Sequence, residues 1–284
     1  MKKILITGGS GFIGRFLKKQ LEKKYELLLP GSRELNVFNK ADLKKYEQEH
    51  IDYVVHLAGK TFVPDSWDNP VSFLEVNTLG TANVLEFCRN KKIGMTYISA
   101  YIYGVPKNNP ISENAEIHPN NPYAQSKRMA EELCEFYSQY YGMDISVMRL
   151  FNVYGPEQPN HFLIPHIVKE VLSEKETIEV LDLVPKRDFV YVTDVCAAIE
   201  ASIEHSESFQ LYNVGTGISY SVAEIIDICQ KIAGTQKEIV SKNEIRKNEL
   251  NDVRADIKHI GSMLHWKPTI TIEEGLESII RGKR

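Results

Sequence analysis

Tyr123 and Lys127, in the run Tyr123-Ala124-Gln125-Ser126-Lys127, are the residues whose types and spacing most directly suggest chemistry. At the start of a helix, an i, i+4 spacing puts the phenol and the ammonium on one face. A buried ammonium beside a phenol favours the phenolate and lowers its pKa towards neutrality, so Tyr123 is a candidate general acid or base. The same pair arises by chance on exposed helices, and a second signal is needed. It lies upstream, where the apolar run Met95 to Ile98 leads into Ser99-Ala100-Tyr101-Ile102-Tyr103-Gly104. This puts Ser99 at the C-terminal end of a parallel strand, where open α/β sheets place their ligands.

The elements that must position these groups follow from the apolar pattern. Lys3-Thr7, Glu26-Leu29, Tyr53-Leu57, Met95-Ser99 and Ile145-Arg149 read as buried strands, each next to a segment of helical period. The fold class is α/β, a doubly wound parallel sheet of the Rossmann kind with a smaller, partly interleaved C-terminal lobe. The dinucleotide-binding core is expected over 1–152 and about 182–216, and the second lobe over about 153–181 and 217–284. In that lobe, helices are expected around Ile164-Glu174 and Val222-Ala233, and short strands near Glu179-Leu181 and Leu211-Asn213. The ligand is expected in the cleft between the lobes.

The first strand runs into T-G-G-S-G-F-I-G, which sets Gly8, Gly11 and Gly14 at a strand-to-helix turn. Gly8 allows the tight turn, Gly11 lets the backbone approach a pyrophosphate, and Gly14 permits close packing of the following helix, expected over Phe12-Lys23. The first turn of that helix, with Phe12 and Ile13, offers N–H donors and a positive dipole end to phosphates. The cofactor is therefore a dinucleotide. NAD calls for a carboxylate at the tip of the second strand to hold the ribose hydroxyls. Here the strand ends Leu29-Pro30-Gly31-Ser32-Arg33, and Ser32 and Arg33 suit a 2'-phosphate. The alternative gives the acidic role to Glu34. The balance favours NADP, with NAD possible.

Composition bounds the rest. The 284 residues carry 34 Lys+Arg against 38 Asp+Glu, a formal net charge of -4 without long runs of one sign, so no nucleic-acid partner is expected. Cys88, Cys134, Cys196 and Cys229 are widely spaced and read as reduced core thiols. The apolar run after Lys2 and Lys3 stops at Thr7-Gly8, too short for a signal peptide or membrane span. A soluble, cytoplasmic protein without membrane partner or metal is expected.

Taken in order, the glycine turn, His56-Leu57-Ala58-Gly59, Ser99 with its following Y-G, Tyr123/Lys127, R-L-F-N-V-Y-G-P, R-D-F-V-Y-V-T-D-V and a late W-K-P span nearly the whole chain. As a set it resembles the sugar-nucleotide epimerase/dehydratase/reductase family, of the extended short-chain dehydrogenase/reductase type. That resemblance implies a catalytic triad. Ser99 would hydrogen-bond the sugar oxygen, Tyr123 would exchange its proton, and Lys127 would hold the nicotinamide ribose and tune the tyrosine. It also implies that Asn36 and Val37 meet the adenine edge and that Leu57, Ala58, Gly59 and Asn77 lie along the cofactor. His56 reads as a packed, hydrogen-bonded residue. For the substrate, Asn152 and Arg187 match residues on the diphosphate, and Arg246 is a candidate second clamp or a surface charge. Phe162 is a candidate for enclosing the base or for simple packing, and Thr61 and Phe62 complete the set.

Two departures narrow the reaction. Dehydratases of the family carry an acidic pair after the catalytic Ser/Thr, and Ala100 and Tyr101 stand there instead. The segment from His56 to Pro64 resembles reductases that convert NDP-4-keto-6-deoxyhexoses to 6-deoxyhexoses, the GDP-6-deoxymannose-forming branch above all. An NADPH-dependent 4-ketoreductase is expected. An NAD-dependent 4-epimerase of the UDP-glucose type is the alternative, and a non-catalytic dinucleotide-binding regulator the third reading. The resemblance further implies a homodimer paired through helices near Asn77-Asn90 and Tyr123-Tyr141 as a four-helix bundle, with Ala82, Leu85, Ala130 and Leu133 as candidate contacts, or in part as residues that face the sheet.

Overall fold

The computed structural model describes residues 1–244 and 250–283. Six parallel strands form the central sheet: β1 (Lys3–Thr7), β2 (Glu26–Leu28), β3 (Tyr53–His56), β4 (Gly94–Ala100), β5 (Ile145–Leu150) and, much later in the chain, β9 (Phe209–Val214). Between β5 and β9 run β6 (Asn152–Tyr154), β7 (Thr177–Val180) and β8 (Lys186–Tyr191); β10 (Ser219–Ser221), β11 (Glu238–Ser241) and β12 (Asp252–Val253) follow. The central order is β2-β1-β3-β4-β5-β9. The chain therefore leaves β1 for one side and returns on the other, and the switch point lies between β1 and β3. Ligands of such sheets bind at that crevice, beyond the strands' C-terminal ends.

The helices are α1 (Phe12–Leu21), α2 (Lys40–Lys44), α3 (Val63–Asp68), α4 (Pro70–Phe73), α5 (Gly80–Lys91), α6 (Pro122–Tyr141), α7 (Leu163–Leu172), α8 (Val192–Glu204), α9 (Val222–Ala233), α10 (Lys258–Leu264) and α11 (Ile272–Arg281). A π-helical turn, Leu74–Leu79, joins α4 to α5. Because successive strand side chains point to opposite faces, Ile4, Ile6 and Val55 pack with Leu17 of α1 and Ile199 of α8, whereas Leu5 and Val54 pack with Val84 and Leu85 of α5. Both faces are covered, which is why these strands read as near-continuous apolar runs.

The expected strands recur within one or two residues. Helix α1 stops at Leu21, short of Lys23, because Tyr25 turns inward at once to bury its ring, with its N–H on the Leu21 carbonyl. The strand expected at Leu211-Asn213 is longer and pairs with β5 inside the central sheet. Helix α8 has no counterpart among the expected helices. It is buried over Val192, Asp194, Val195, Cys196, Ala198, Ile199, Ser202 and Ile203, so its apolar residues run nearly all round and dilute the helical period. Leu85 and Ala130, expected as outward contacts, lie wholly inside the core beneath α5 and α6.

Two aspartates tie the later segments down. The carboxylate of Asp188, on β8, accepts from the N–H groups of Thr216 (2.7 Å), Gly217 (2.9 Å) and Ala255 (3.1 Å) and from the Thr216 hydroxyl (2.7 Å). Asp194, at the start of α8, accepts from Thr269 Oγ1 (2.7 Å) and the Ile270 N–H (3.1 Å), while its carbonyl accepts from Trp266 Nε1 (3.0 Å). The R-D-F-V-Y-V-T-D-V run and the late W-K-P are thus one structural fastening. Among the described residues, no helix is long and apolar enough to cross a membrane.

Candidate active site

Helix α6 starts where Asn121, in extended backbone, accepts the Ala124 N–H at 2.8 Å and Pro122 takes the first helical position. That start sets the register. Tyr123, Lys127 and Glu131 then follow one another at successive i, i+4 steps along one face, laid against the end of β4. Lys127 is buried; its Nζ donates to the Ile98 carbonyl at 2.7 Å and lies 4.8 Å over the Tyr97 ring. Burial pushes the ammonium's pKa down to about 8, against the opposing field of Glu131. Gly59, after β3, faces this ammonium, since a Cβ there would sit 3.4 Å from Nζ.

The Tyr123 ring meets Phe73 edge-on, with centroids 6.3 Å apart. Here the structure departs from the expected pKa. Lys127 donates one of its three N–H groups to the Ile98 carbonyl, and desolvation, with Tyr101 nearby, raises the phenol of half-buried Tyr123 above its ordinary value. Ser99 is buried at the end of β4 and donates from Oγ to Glu131 Oε1 at 2.5 Å. Glu131 is a functional neighbour the sequence reading passed over, although its place eight residues after Tyr123 is the signal that would have found it.

The glycine turn fits a dinucleotide phosphate. Gly8 has φ +71°, and a Cβ on it would fall 2.7 Å from the Ala58 nitrogen, so the β1 and β3 turns approach more closely than any side chain permits. A Cβ on Gly14 would fall 2.4 Å from the Gly9 carbonyl oxygen. The contact that requires glycine there is the helix against its own entry loop, not against the sheet. No side chain caps the start of α1 and no acidic residue stands in its first turn, so the N–H groups of Phe12, Ile13 and Gly14 remain available to an anion.

At the tip of β2, Glu34 folds back and accepts the Gly31 N–H at 2.9 Å, while the Gly31 carbonyl accepts from the N–H groups of Glu34 and Leu35. Ser32 and Arg33 are exposed beside it. Asn36 is exposed, whereas Val37 is buried against Gly80 of α5 and its carbonyl accepts from the Asn83 amide at 3.0 Å. Leu57 and Ala58 are half-buried beside the glycine turn. Asn77 is buried: its Oδ1 accepts the Lys60 N–H (2.8 Å) and its Nδ2 donates to the Lys60 carbonyl (3.1 Å) and Ser126 Oγ (2.9 Å). His56 is fully buried between Thr7 (2.7 Å) and Thr81 (3.1 Å).

Of the expected substrate residues, Phe62 and Phe162 come together, 6.3 Å between centroids, with His161 packed against both at 4.5 and 4.4 Å. Thr61 is exposed beside Phe62. The Asn152 amide donates to the Asp188 carbonyl at 3.3 Å, and Arg187 Nη1 donates to the carbonyls of Leu250 (2.6 Å) and Lys186 (2.8 Å), which ties this guanidinium to its own lobe. Arg246 lies outside the described residues.

The chain is similar to known proteins over nearly its whole length. Residues 4–215 match the model of the NAD dependent epimerase/dehydratase family. GDP-6-deoxy-D-mannose reductase of Pseudomonas aeruginosa is 32% identical, the match covering 98% of this chain and 96% of that protein. A putative UDP-glucose 4-epimerase of Methanocaldococcus jannaschii is also 32% identical, over 98% of this chain and 97% of that one. A solved structure of RMD from Pseudomonas aeruginosa complexed with NADPH superposes with a TM-score of 0.92 at 32% identity, covering 99% of this chain and 98% of that one.

His56 sets the acid side of stability. Burial, with Lys127 nearby, lowers its pKa from 6.5 to about 3, so the unfolded chain takes up this proton first and stability falls as pH drops through that window. Between pH 7.5 and 5.0 this group alone removes about 2 kcal/mol. Urea unfolding of wild type and His56→Asn at both pH values is expected to show a smaller acid loss in the variant by about that amount. Equal losses in the two proteins would contradict it.

Proposed function

Because this chain belongs to the NAD dependent epimerase/dehydratase family, we propose that it is an NADPH-dependent reductase of the C4 keto group of a nucleotide-linked 4-keto-6-deoxyhexose. The observation that carries this reading is the tip of β2, where no carboxylate stands from Pro30 to Ser32 and Arg33 is exposed, while Glu34 turns back to the Gly31 N–H. An exposed guanidinium at that tip suits a 2'-phosphate. A reductase and a putative 4-epimerase are each 32% identical to this chain, so overall similarity does not separate the two readings.

In this reading the backbone from Gly8 to Gly14 holds the diphosphate, Ser32 and Arg33 meet the 2'-phosphate, and Lys127 holds the nicotinamide ribose. The cofactor supplies a hydride to C4. Tyr123 gives its proton to O4, turning the carbonyl into an alcohol, and regains a proton from solvent. Asn152 and Arg187 stand at the diphosphate side of the sugar nucleotide, and Phe62, His161 and Phe162 form an aromatic wall beside it.

We also propose pairing of two copies through α5 and α6. Leu79, Met129, Phe136, Tyr140 and Tyr141 are exposed there, Arg89 lies 5.0 Å over the Tyr141 ring, and Tyr137 bonds Glu86 at 2.6 Å across the two helices. These outward residues replace Leu85 and Ala130 as the apolar contact surface. Sedimentation at micromolar concentration is expected to show a dimer, and a monomer would exclude the pairing.

NADPH oxidation is measured with GDP-, dTDP- and UDP-linked 4-keto-6-deoxy sugars. Consumption is expected with the GDP sugar, and Tyr123→Phe is expected to lower kcat about 10²- to 10⁴-fold with NADPH affinity kept. No oxidation with any of the three, together with interconversion of UDP-glucose and UDP-galactose, would give the epimerase reading. Arg33→Ala is expected to weaken NADPH about ten- to hundredfold more than NADH, read as dissociation constants at one ionic strength. Equal weakening would assign Arg33 to the loop alone.

A further inference from the structure

The ammonium of Lys127 is buried with one of its three N–H groups on a backbone carbonyl, and that bond does not by itself account for its charge. A carbonyl dipole returns part of what a cation loses on leaving water, and a buried amine with no more than that gives up its proton readily. An ion pair is the ordinary remedy. Among the described residues Lys127 has no carboxylate in ion-pair contact, since that of Glu131, one turn along its face, is gripped by Arg149 at 2.6 Å. What does face the nitrogen is the ring of Tyr97, with its centroid 4.8 Å away. A cation over an aromatic face within about 6 Å is attracted by the ring's quadrupole, more strongly where water is excluded.

The sheet places the ring for this contact. Side chains alternate along a strand, so Met95 and Tyr97 of β4 turn to the face that α5 and α6 cover, with Ser99 next in the same row. Tyr97 is fully buried there opposite His56 of β3, whose ring packs on it at 5.6 Å between centroids. Both rings are neutral: burial lowers the His56 pKa to about 3 and raises the Tyr97 phenol well above its ordinary value. The Tyr97 hydroxyl, buried towards Thr81, makes no hydrogen bond of ordinary geometry. The aromatic face, not the hydroxyl, is therefore the part of this side chain that meets a polar partner.

We propose that Tyr97 is a positioning residue whose aromatic face holds the Lys127 ammonium charged and in place at the end of β4. The consequence for turnover rests on the 4-ketoreductase reading, in which Lys127 holds the nicotinamide ribose. The hold of the ring on the lysine does not. The titratable groups that face Lys127 are His56 from β3, Tyr97 from β4, and Tyr123, Glu131 and Cys134 along α6; Asn77, from the π-helical turn, and Gly59 carry no charge. Burial brings the ammonium's pKa down to about 8, against the fields of Glu131 and Cys134, so its charge near neutral pH is finely balanced. A weaker aromatic face releases the proton at lower pH.

Fluorination of the ring tests this, because fluorine drains charge from the aromatic face with little change of volume. Lysine labelled at Cε is followed by NMR through a pH titration of the ligand-free protein, and Lys127 is identified by the signal that Lys127→Met removes. In wild type and in Tyr97→Phe, which keeps the face, the Lys127 signal is expected to be displaced by the ring current. Their acid-dissociation constants are expected to agree within about twofold. Replacement of Tyr97 by ring-trifluorinated phenylalanine is expected to raise that constant about threefold or more over Tyr97→Phe. An unchanged constant across the series, or a wild-type signal without ring-current displacement, would overturn the proposal. In turnover with NADPH and the GDP sugar, the alkaline fall of kcat is expected to move to lower pH by the same factor. A titration that moves while this fall does not would keep the hold of the ring on Lys127 and overturn the part given to the lysine in the reaction. The ligand-free titration needs no substrate, so failure of the 4-ketoreductase reading leaves it standing and the two failures are distinguishable.

Discussion

The site is organised by one buried ammonium and the carbonyl it satisfies. Lys127 is taken out of water between α6 and the central sheet, and its Nζ finds the Ile98 carbonyl at the end of β4. An unsatisfied buried cation costs far more than a hydrogen bond returns, so this contact pins the helix to the strand end. Once it is made, the helical repeat places Tyr123 one turn before it and Glu131 one turn after it. Ser99, the next residue along β4, then meets Glu131, and Gly59 closes over the ammonium from β3. The chemistry is arranged by a single register between one helix and one strand.

The same contact uses one of the three Lys127 N–H groups, and desolvation, with Tyr101 nearby, raises the Tyr123 phenol above its ordinary value. The dinucleotide turn lies across the switch point, where Gly8 and Ala58 approach too closely for any side chain. In the proposed reading, selection between the two dinucleotides is held apart from both, in a surface turn where Glu34 closes on Gly31. Proton transfer, phosphate binding and 2'-phosphate selection thus rest on separate pieces of chain.

Much of this was legible in the residues. Local pattern marks the strands of the central sheet, because strands buried on both faces are short apolar runs, and it marks the glycine turn, because three glycines follow the first strand at a fixed spacing. The Tyr123/Lys127 face follows from helical period alone. What pattern does not carry is pairing between distant segments. The Glu131–Arg149 clamp depends on where β5 lies beside β4, and the Asp188 and Asp194 fastenings depend on turns tens of residues away. Helix α8 escaped because it is buried nearly all round, and Val37 because no local pattern says that the loop folds it inward. The phenol's pKa is raised where the helical spacing led to the expectation of a lowered one, because that spacing shows neither the desolvation of Tyr123 nor Tyr101 beside it.

The central claim is that hydride and proton arrive at C4 and O4 of a 4-keto sugar from NADPH and Tyr123. Its most direct measurement is the fate of label from NADPH deuterated at the transferred position, incubated with a GDP-linked 4-keto-6-deoxyhexose and followed by NMR of the sugar. The account predicts one deuterium at C4 of the product and one oxidised cofactor released for each sugar formed. Unlabelled product with no cofactor consumed would contradict it.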